Sequence, residues 1–325
     1  MMSDFESAKR VKIDGISFVG QLICKKQKSE PWGGKLQSGK ERFVLNILFT
    51  VNRGYMEHVL DCIRSIVRFP SEDGYDIYIL HSDLQEQDRS NAAAQVEDGD
   101  TRLHFRFVEP SVFAPFPESE RYPRLIYYRI FAASLLPPEM DRILYLDGDT
   151  IVINPLDELY NMEFEGNYFL ACTHVRKFLT KVNQYRLGME EVSTYINSGV
   201  LLMNLKELRE KQDFEEIVSF VKKRGRYLTL PDQDIITALY GNKTGILDTM
   251  RYNLSDRMIS VYNTEPGHKK INLEWVRQNA VVIHYYGKQK PWKKPYLGIL
   301  DVFYRELKEE APGEICGAVQ NEPEA

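Results

Sequence analysis

Two aspartates separated by a single glycine, Asp147 and Asp149, directly follow the apolar run Ile143–Leu146. The glycine between them, Gly148, lets the backbone turn tightly and approach a ligand closely. Two carboxylates at the carboxyl end of a buried strand can hold a hard divalent cation, and ligands of open α/β sheets bind at that end. Because Asp and Gly are also common turn residues, an isolated Asp-x-Asp more often indicates only a turn. The pair therefore predicts a metal site only in combination with further ligands.

A second group of polar residues follows another apolar run, residues 281–283, near the carboxyl end of the chain. His284 ends this run, and Gly287, Lys288 and Lys290 come next. A flexible glycine, ammonium groups and exposed backbone amides together suit an anion. Two carboxylates and one imidazole form a mixed oxygen and nitrogen site, which suits Mn²⁺, with Mg²⁺ as second choice, and leaves positions open for phosphate oxygens. We expect one edge of the sheet to hold both groups.

Polar residues also begin two further predicted elements. Asn197 lies near the start of a core strand, where a polar group needs an internal partner or a ligand. Asp232, Gln233 and Asp234 follow Pro231, which is typical of the first turn of a helix. Acids at the amino end of a helix often only complement its dipole. These residues are therefore candidates for ligand binding, with a purely structural role as the alternative.

The elements that must position these residues start with a β-α-β-α-β pattern. Strands are predicted at residues 43–51, 75–80 and 103–108, and the first is almost continuously apolar, as in a strand covered on both faces. Consecutive units of this kind build a parallel sheet with right-handed crossovers. No Gly-x-Gly-x-x-Gly or Walker loop follows the first strand, which disfavours a dinucleotide oxidoreductase or a P-loop NTPase.

The domain organisation is also predicted from composition and periodicity. We expect residues 1–42 to be an extension that is poorly ordered or forms a small appendage, and residues 311–325 to be a loose acidic tail. The single α/β domain is placed at residues 43–310. Within it, we expect a helix at residues 124–136 and a mobile polar lid at residues 177–191.

Composition excludes several classes of protein. The chain has 325 residues, of which 43% are hydrophobic and 27% charged, so it suits a globular domain. The formal net charge of −5 gives no overall basic excess, and we expect no nucleic-acid partner. The four cysteines form no Cys-x-x-Cys pair, which indicates reduced thiols in a cytoplasmic protein. No apolar run approaches about 18 residues, so we expect at most peripheral association with a membrane.

In combination, these stretches resemble glycosyltransferase family 8, which includes bacterial lipopolysaccharide galactosyl- and glucosyltransferases, glycogenin and galactinol synthase. The resemblance covers roughly residues 46–296. It rests on five stretches in the family's order, at residues 47–50, 144–149, 196–204, 231–234 and 284–292. The first stretch alone is weak, but the Asp-x-Asp, Asp-Gln-Asp and His-x-x-Gly-x-x-Lys-Pro-Trp motifs together are specific.

The resemblance implies an α/β protein with the GT-A fold, in which a Rossmann-like nucleotide-binding mixed sheet flanked by helices merges with an acceptor-binding subregion. It implies Mn²⁺-dependent transfer of a hexose, galactose or glucose, from a UDP-sugar to a saccharide acceptor, with retention of the anomeric configuration. Synthesis of a bacterial cell-surface polysaccharide or lipopolysaccharide is the role that the family suggests.

The resemblance also assigns roles to individual residues. The implied metal ligands are Asp147, Asp149 and His284. The implied nucleotide-sugar contacts are Thr50, Asn52, Tyr55, Arg129, Gly148, Gly287 and Lys290. The residues implied to grip the donor sugar during catalysis are Asn197, Asp232 and Gln233. The family often has an acid where this chain has Asn52, so the specificity for uracil is weakened, although the amide oxygen can still accept from the uracil imide.

The retaining reaction has two possible courses, and two other functions remain open. Double displacement needs a nucleophile about 5 Å from its partner group, and the amide of Gln233 is a poor one, which favours departure and attack on the same face of the sugar. A metal-dependent nucleotide-sugar hydrolase or pyrophosphorylase could use the same metal site. A non-catalytic carbohydrate-binding protein on this fold would be favoured by loss of a metal ligand or of Lys290, and all are present here.

Overall fold

The computed structural model describes residues 44–174, 177–189 and 194–310. The predicted amino-terminal extension at residues 1–42 and the predicted acidic tail at residues 311–325 lie outside the described residues. No helix among the described residues is both long enough and apolar enough to cross a membrane.

The described strands form one large mixed sheet and one small sheet. They are β1 (Leu45–Thr50), β2 (Tyr75–His81), β3 (Thr101–Phe107), β4 (Arg142–Leu146), β5 (Thr150–Val152), β6 (Phe169–Cys172), β7 (Asn197–Asn204), β8 (Thr244–Ile246) and β9 (Val282–His284). Seven of them form the large sheet in the order β3-β2-β1-β4-β7-β6-β8, and β5 pairs with β9. In the large sheet β7 runs antiparallel to β4 and β6, and the other pairs are parallel.

Helices flank the large sheet on both faces. They are α1 (Met56–Val67), α2 (Glu86–Val96), α3 (Ala132–Leu135), α4 (Asp157–Tyr160), α5 (Lys177–Leu187), α6 (Leu205–Lys211), α7 (Phe214–Arg224), α8 (Pro231–Tyr240), α9 (Thr249–Tyr252), α10 (Asp256–Thr264), α11 (Leu273–Asn279) and α12 (Asp301–Glu310). Short 3₁₀ helices cover Arg53–Tyr55, Pro110–Phe113, Arg124–Phe131, Gly225–Tyr227 and Gly241–Lys243.

Strand β1 shows why its sequence is almost continuously apolar. Ile47 and Phe49 point to one face of the sheet, where they share a buried cluster with Val59 of α1. Leu48 points to the other face and shares a second cluster with Tyr128. Because both faces are covered, the usual alternation of apolar and polar residues is absent. The large sheet is therefore the central layer of the domain, with a buried cluster on each face. The carboxyl ends of its strands are where a site can form.

One predicted helix differs in type from the structure. The helix predicted at residues 124–136 is mostly a 3₁₀ helix, followed by the single turn α3. Tyr128 and Phe131 are both buried in one cluster, and their three-residue spacing is the period of a 3₁₀ helix. The predicted mobile lid at residues 177–191 contains the helix α5, which is linked to α8 through Arg186 and Asp234. Residues 190–191 of this segment lie outside the described residues, and its mobility stays a prediction.

The prediction of a single sheet edge for both polar groups is wrong. Strand β9, which ends at His284, is not part of the large sheet but pairs antiparallel with β5. The chain reverses just after β4, and β5 leaves the large sheet to form a separate ribbon. His284 therefore reaches the end of β4 from a second sheet.

Candidate active site

The three predicted metal ligands converge at the end of β4. Thr150 pairs with His284 in the β5–β9 ribbon, which places the imidazole beside the carboxylate of Asp149. Nε2 of His284 lies 3.2 Å from Oδ1 of Asp149 and 3.6 Å from Oδ2 of Asp147. Potential ligand atoms of the three residues all lie within 4.8 Å of one another. We call Asp147, Asp149 and His284 the metal triad.

The surroundings of the metal triad fit a bound cation. His284 is only 2% exposed, so its ring has little freedom. Gly199 packs against the triad so closely that an added Cβ would lie 2.2 Å from Cε1 of His284 and 2.8 Å from Oδ2 of Asp147. Only glycine allows β7 to approach at this point. Two carboxylates and one imidazole suit a divalent cation that accepts oxygen and nitrogen ligands.

Lys290 contacts the metal triad in this structure. Its ammonium group is hydrogen-bonded to Oδ2 of Asp149 and donates to the carbonyl oxygen of Tyr285 at 2.8 Å. Burial alone would raise the pKa of the Asp149 carboxyl, but His284 and Lys290 outweigh burial and hold that pKa below its usual range. The carboxylate is therefore ionised and available to a cation. Gly287 has a φ of +89°, which glycine adopts readily, and it turns the chain toward Lys290.

Arg129 connects the metal triad to helix α8. One of its terminal nitrogens lies 2.8 Å from Oδ1 of Asp147 and 3.3 Å from Oδ2 of Asp232. The guanidinium carbon also lies 4.3 Å from the ring centroid of Tyr145, whose hydroxyl donates to Oδ1 of Asp147 at 2.7 Å. Because Arg129 is only 7% exposed, it serves as a fixed counter-charge between the half-buried Asp147 and the buried Asp232.

The residues predicted to grip the donor sugar also lie together. The hydroxyl of Ser198 donates to Oδ2 of Asp232 at 2.9 Å, and burial raises the pKa of the Asp232 carboxyl. Oε1 of Gln233 accepts from the backbone amide of Ser198 at 3.3 Å and from Nδ2 of Asn197 at 3.4 Å. The start of β7 and the first turn of α8 therefore form one hydrogen-bonded wall beside the metal triad.

The predicted nucleotide contacts lie after β1, next to the metal triad. Oγ1 of Thr50 lies 3.3 Å from the hydroxyl of Tyr145, and Asn52 directly precedes the 3₁₀ helix Arg53–Tyr55. An added Cβ on Gly148 would lie 3.2 Å from the ring of Tyr55 and 2.7 Å from Val59. Gly148 is therefore required by packing against α1, whereas the sequence indicated close approach of a ligand.

Sequence reasoning missed two contacts at the site. The ring of Trp292 stacks on the ring of His58, with centroids 3.8 Å apart, and so ties the loop that carries Lys290 to helix α1. Oδ1 of Asn253, a fully buried residue, lies 2.9 Å from Nδ1 of His284. No metal-binding pattern surrounds Asn253 in the sequence, which offers there only an Asn-x-Ser pattern.

Known proteins resemble this chain in architecture and in sequence. The lipopolysaccharide 1,2-glucosyltransferase of Escherichia coli (strain K12) is 24% identical over 292 residues, which cover 88% of this chain and 83% of that protein. The lipopolysaccharide 1,3-galactosyltransferase of Salmonella typhimurium is 20% identical over 282 residues, which cover 83% of this chain and 80% of that protein. The galactosyltransferase LgtC, solved in complex with donor and acceptor sugar analogs, has a TM-score of 0.70 at 24% identity and covers 83% of this chain and 98% of that chain.

These likenesses define the class of protein. The mixed sheet flanked by helices is the GT-A fold of glycosyltransferases, as predicted. The sequence profile of Glycosyl transferase family 8 matches residues 46–295, well over half of the chain. The chain therefore belongs to glycosyltransferase family 8, and it is a glycosyltransferase.

Proposed function

We propose that this enzyme transfers a hexose, galactose or glucose, from a UDP-sugar to a saccharide acceptor with retention of the anomeric configuration. The transfer depends on Mn²⁺, with Mg²⁺ as the second choice. Relatives named as lipopolysaccharide glucosyl- and galactosyltransferases support a role in making a bacterial cell-surface polysaccharide. Such a role suits a cytoplasmic enzyme whose domain spans residues 43–310, with at most peripheral association at the inner face of the membrane.

The convergence of Asp147, Asp149 and His284 carries this proposal. In a family 8 chain, three such ligands within 4.8 Å of one another are suited to hold a divalent cation through two carboxylates and one imidazole. When bound, the cation supplies positive charge to a diphosphate leaving group. The buried wall formed by β7 and α8 then orients the sugar beside it.

The charges of the site support binding of a cation together with a diphosphate. Asp147, Asp149 and Asp232 bring three negative charges, whereas Arg129 and Lys290 bring two positive charges. A divalent cation reverses the sign of this sum and thereby attracts an anionic donor. We propose that Lys290 then leaves Asp149 and, with Gly287, contacts the diphosphate, because the ammonium group lies beside the triad already.

The uracil and ribose are proposed to lie against the segment after β1. Tyr55 packs directly on Gly148 of the Asp-Gly-Asp turn, and Thr50 lies beside Tyr145, whose hydroxyl donates to Asp147. The partly exposed Asn52 can accept from the imide of uracil through its amide oxygen. Arg129 contacts both Asp147 and Asp232, and we propose that it fixes the position of these two carboxylates relative to the bound nucleotide sugar.

The orientation of Gln233 favours attack on the face from which the diphosphate departs. Its Oε1 already accepts from the amide of Ser198 and from Nδ2 of Asn197. This oxygen is thus engaged in hydrogen bonds within the protein, away from a nucleophilic role. Oδ2 of Asp232 is likewise engaged with Ser198 and Arg129. We propose that these two residues stabilise the oxocarbenium-like sugar, while the leaving phosphate takes the acceptor's proton. Trapping of a covalent glycosyl adduct on Asp232 would contradict this course.

The experiment that tests the function measures UDP release from a panel of nucleotide sugars, with Mn²⁺ or with EDTA, in the presence and absence of saccharide acceptors. The proposal predicts Mn²⁺-dependent release from UDP-galactose or UDP-glucose that an acceptor stimulates, with a new glycoside as product. Release that no acceptor stimulates, with free hexose as the only product, would indicate the nucleotide-sugar hydrolase. Binding of UDP without any turnover would indicate a non-catalytic protein.

A further inference from the structure

We infer that Asn253 is a positioning residue that holds His284 with a proton on Nδ1 and links the metal triad to Asn197. The inference rests on the proposed function, because it concerns the presentation of His284 to the cation. Asn253 follows helix α9 and is fully buried, so its side chain meets only protein atoms. A chain of hydrogen bonds that begins at a backbone amide fixes the orientation of its side-chain amide.

The orientation of Asn197 is fixed by the backbone. The amide nitrogen of Gly199 donates to Oδ1 of Asn197 at 3.0 Å. A backbone N–H can only donate, so the atom of Asn197 that faces it must be the oxygen. The other end of the Asn197 side chain then carries the NH₂ group, which donates to Oε1 of Gln233. Oε1 of Gln233 also accepts from the backbone amide of Ser198, which confirms that this atom is an oxygen. The backbone therefore gives the same orientation of Asn197 from both sides.

The orientation of Asn253 follows from that of Asn197. Oδ1 of Asn197, which accepts from Gly199, lies 2.9 Å from one end of the Asn253 side chain. Because two facing oxygens would repel, that end must be Nδ2, and the opposite end must be Oδ1. Oδ1 of Asn253 lies 2.9 Å from Nδ1 of His284. An amide oxygen can only accept, and Nδ1 therefore carries the hydrogen.

The tautomer of His284 decides which nitrogen serves the cation. With the hydrogen on Nδ1, the lone pair that can bind a metal is on Nε2, the nitrogen that faces Asp147 and Asp149. Partners that fix a ligating histidine in this way raise metal affinity, and their loss typically costs 10–100-fold. Asn253 thus couples the metal triad to Asn197 through a single buried amide.

The backbone around Asn253 holds this amide in place. The carbonyl oxygen of Asn253 is 3.0 Å from Nε2 of His174, and the amide nitrogen of His284 donates to the carbonyl oxygen of Leu254 at 2.7 Å. Asn253 and His284 are therefore both held through hydrogen bonds of their own main-chain atoms. A rigid support of this kind suits positioning rather than general packing.

The test compares two substitutions of Asn253 by calorimetric titration of Mn²⁺ in the presence of UDP. Asn253→Leu has a similar size but removes both bonds, and we expect Mn²⁺ affinity to fall 10–100-fold. Asn253→Asp keeps an oxygen toward His284 and loses the donor toward Asn197. It should bind Mn²⁺ at least about as tightly as the wild type, while kcat falls about tenfold because Asn197 loses a partner. The matched control is Asn204→Leu, at the opposite end of β7, which should lower the melting temperature and leave Mn²⁺ affinity unchanged.

Equal Mn²⁺ affinity of wild type and Asn253→Leu would overturn this inference and leave the proposed function standing. Absence of Mn²⁺ binding to the wild type would instead overturn the proposed function. A second measurement needs no variant of Asn253. In ¹⁵N-histidine spectra of the wild type with Mg²⁺ and UDP, the ring of His284, assigned with a His284→Gln variant, should show the Nδ1–H form. An Nε2–H form would contradict the inference.

Discussion

The carboxylates of the metal triad and the carboxylate of Asp234, in the first turn of helix α8, differ in how completely hydrogen-bond donors surround them. Asp234 is completely buried, and its two oxygens accept two bonds from Arg186, at 2.7 and 2.8 Å, and one from the hydroxyl of Tyr195 at 2.6 Å. Backbone amides of Thr229 and Leu230 supply two more donors. This carboxylate is fully compensated, and it leaves no capacity for a cation.

The carboxylates around the triad are less completely compensated. Asp147 and Asp232 share one guanidinium, that of Arg129, and Asp149 depends on His284 and Lys290. Lys290 lies on the loop that follows β9. The comparison shows that burial of a carboxylate alone does not indicate a site; the balance of donors around it does.

The largest expected effect is loss of transfer in Asp149→Asn. This substitution keeps the size of the side chain and removes a charged ligand, so we expect kcat/KM for the UDP-sugar to fall by about 10³-fold or more, in line with several kcal/mol of charge stabilisation. Steady-state kinetics with Mn²⁺ measure the change. The matched control is Asp213→Asn, at the cap of α7, which removes an aspartate charge that contacts none of the three ligands and should change kcat/KM little. Near-normal kcat/KM in Asp149→Asn would remove the triad from the mechanism.

Arg186→Met tests the carboxylate of Asp234, whose charge Arg186 balances. Removing one partner of a buried ion pair leaves Asp234 with an uncompensated charge, which we expect to cost about 3 kcal/mol of unfolding free energy. The melting temperature should fall by roughly 5–10 °C, whereas the affinity for Mn²⁺ with UDP should stay unchanged.

The control for Arg186→Met is Arg305→Met, in the exposed pair with Asp301 on α12. An exposed pair contributes less than about 1 kcal/mol, so this control should barely move the melting curve. A loss of Mn²⁺ affinity in Arg186→Met would show that the two regions are not separate.

Asp232→Asn tests the carboxylate that lies between the two regions. Asp232 contacts Arg129 and Ser198 but is not one of the triad. If it stabilises positive charge on the sugar, the neutral amide should lower kcat by about 10²-fold, with Mn²⁺ and UDP binding within a few-fold of the wild type. A decrease in Mn²⁺ affinity as large as that of Asp149→Asn would reassign Asp232 to the metal site.

The smallest expected effect concerns His81, a buried group outside both regions whose Nε2 has no hydrogen-bond partner among the described side chains. Burial, assisted by Arg89, lowers the pKa of His81 from 6.5 to about 4. Between pH 4 and pH 6.5 the imidazole therefore binds a proton in the unfolded chain but not in the folded protein. The free energy of unfolding is highest above pH 6.5 and falls as the pH is lowered toward 4. Urea unfolding at pH 7 and pH 5 should differ by about 2 kcal/mol from this group.

His81→Gln should remove that part of the pH dependence, and His268→Gln, on the exposed surface, is the control that should keep it. An unchanged slope of stability against pH in His81→Gln would show that other groups carry the acid sensitivity.

The central sheet and the acidic pair could be predicted from the sequence because local patterns encode them. The continuous apolar run of β1 and the step from apolar residues to Asp147 and Asp149 are visible within about ten residues. His284 was predicted as a ligand from its motif, but its position beside Asp149 depends on the pairing of β5 with β9, which no local pattern specifies. The assigned roles of the nucleotide and sugar contacts stay predictions.

Residues missed by sequence reasoning act through partners far away in the chain. Asn253 meets His284 and Asn197, and Arg186 meets Asp234 across 48 residues. Such contacts arise only when the fold is complete, and the residue types alone do not reveal them. Asp234 directly follows the predicted sugar contacts Asp232 and Gln233 in the sequence, and the donors around its carboxylate give it a structural role.

We propose that the under-compensated triad, and not the compensated Asp234, holds a divalent cation beside the nucleotide. Calorimetric titration of Mn²⁺ in the presence of UDP into wild type, Asp147→Asn and Arg186→Met tests it most directly. We expect one Mn²⁺ per chain for wild type and for Arg186→Met, and no saturable binding for Asp147→Asn. Equal binding by wild type and Asp147→Asn, or none by the wild type, would contradict it.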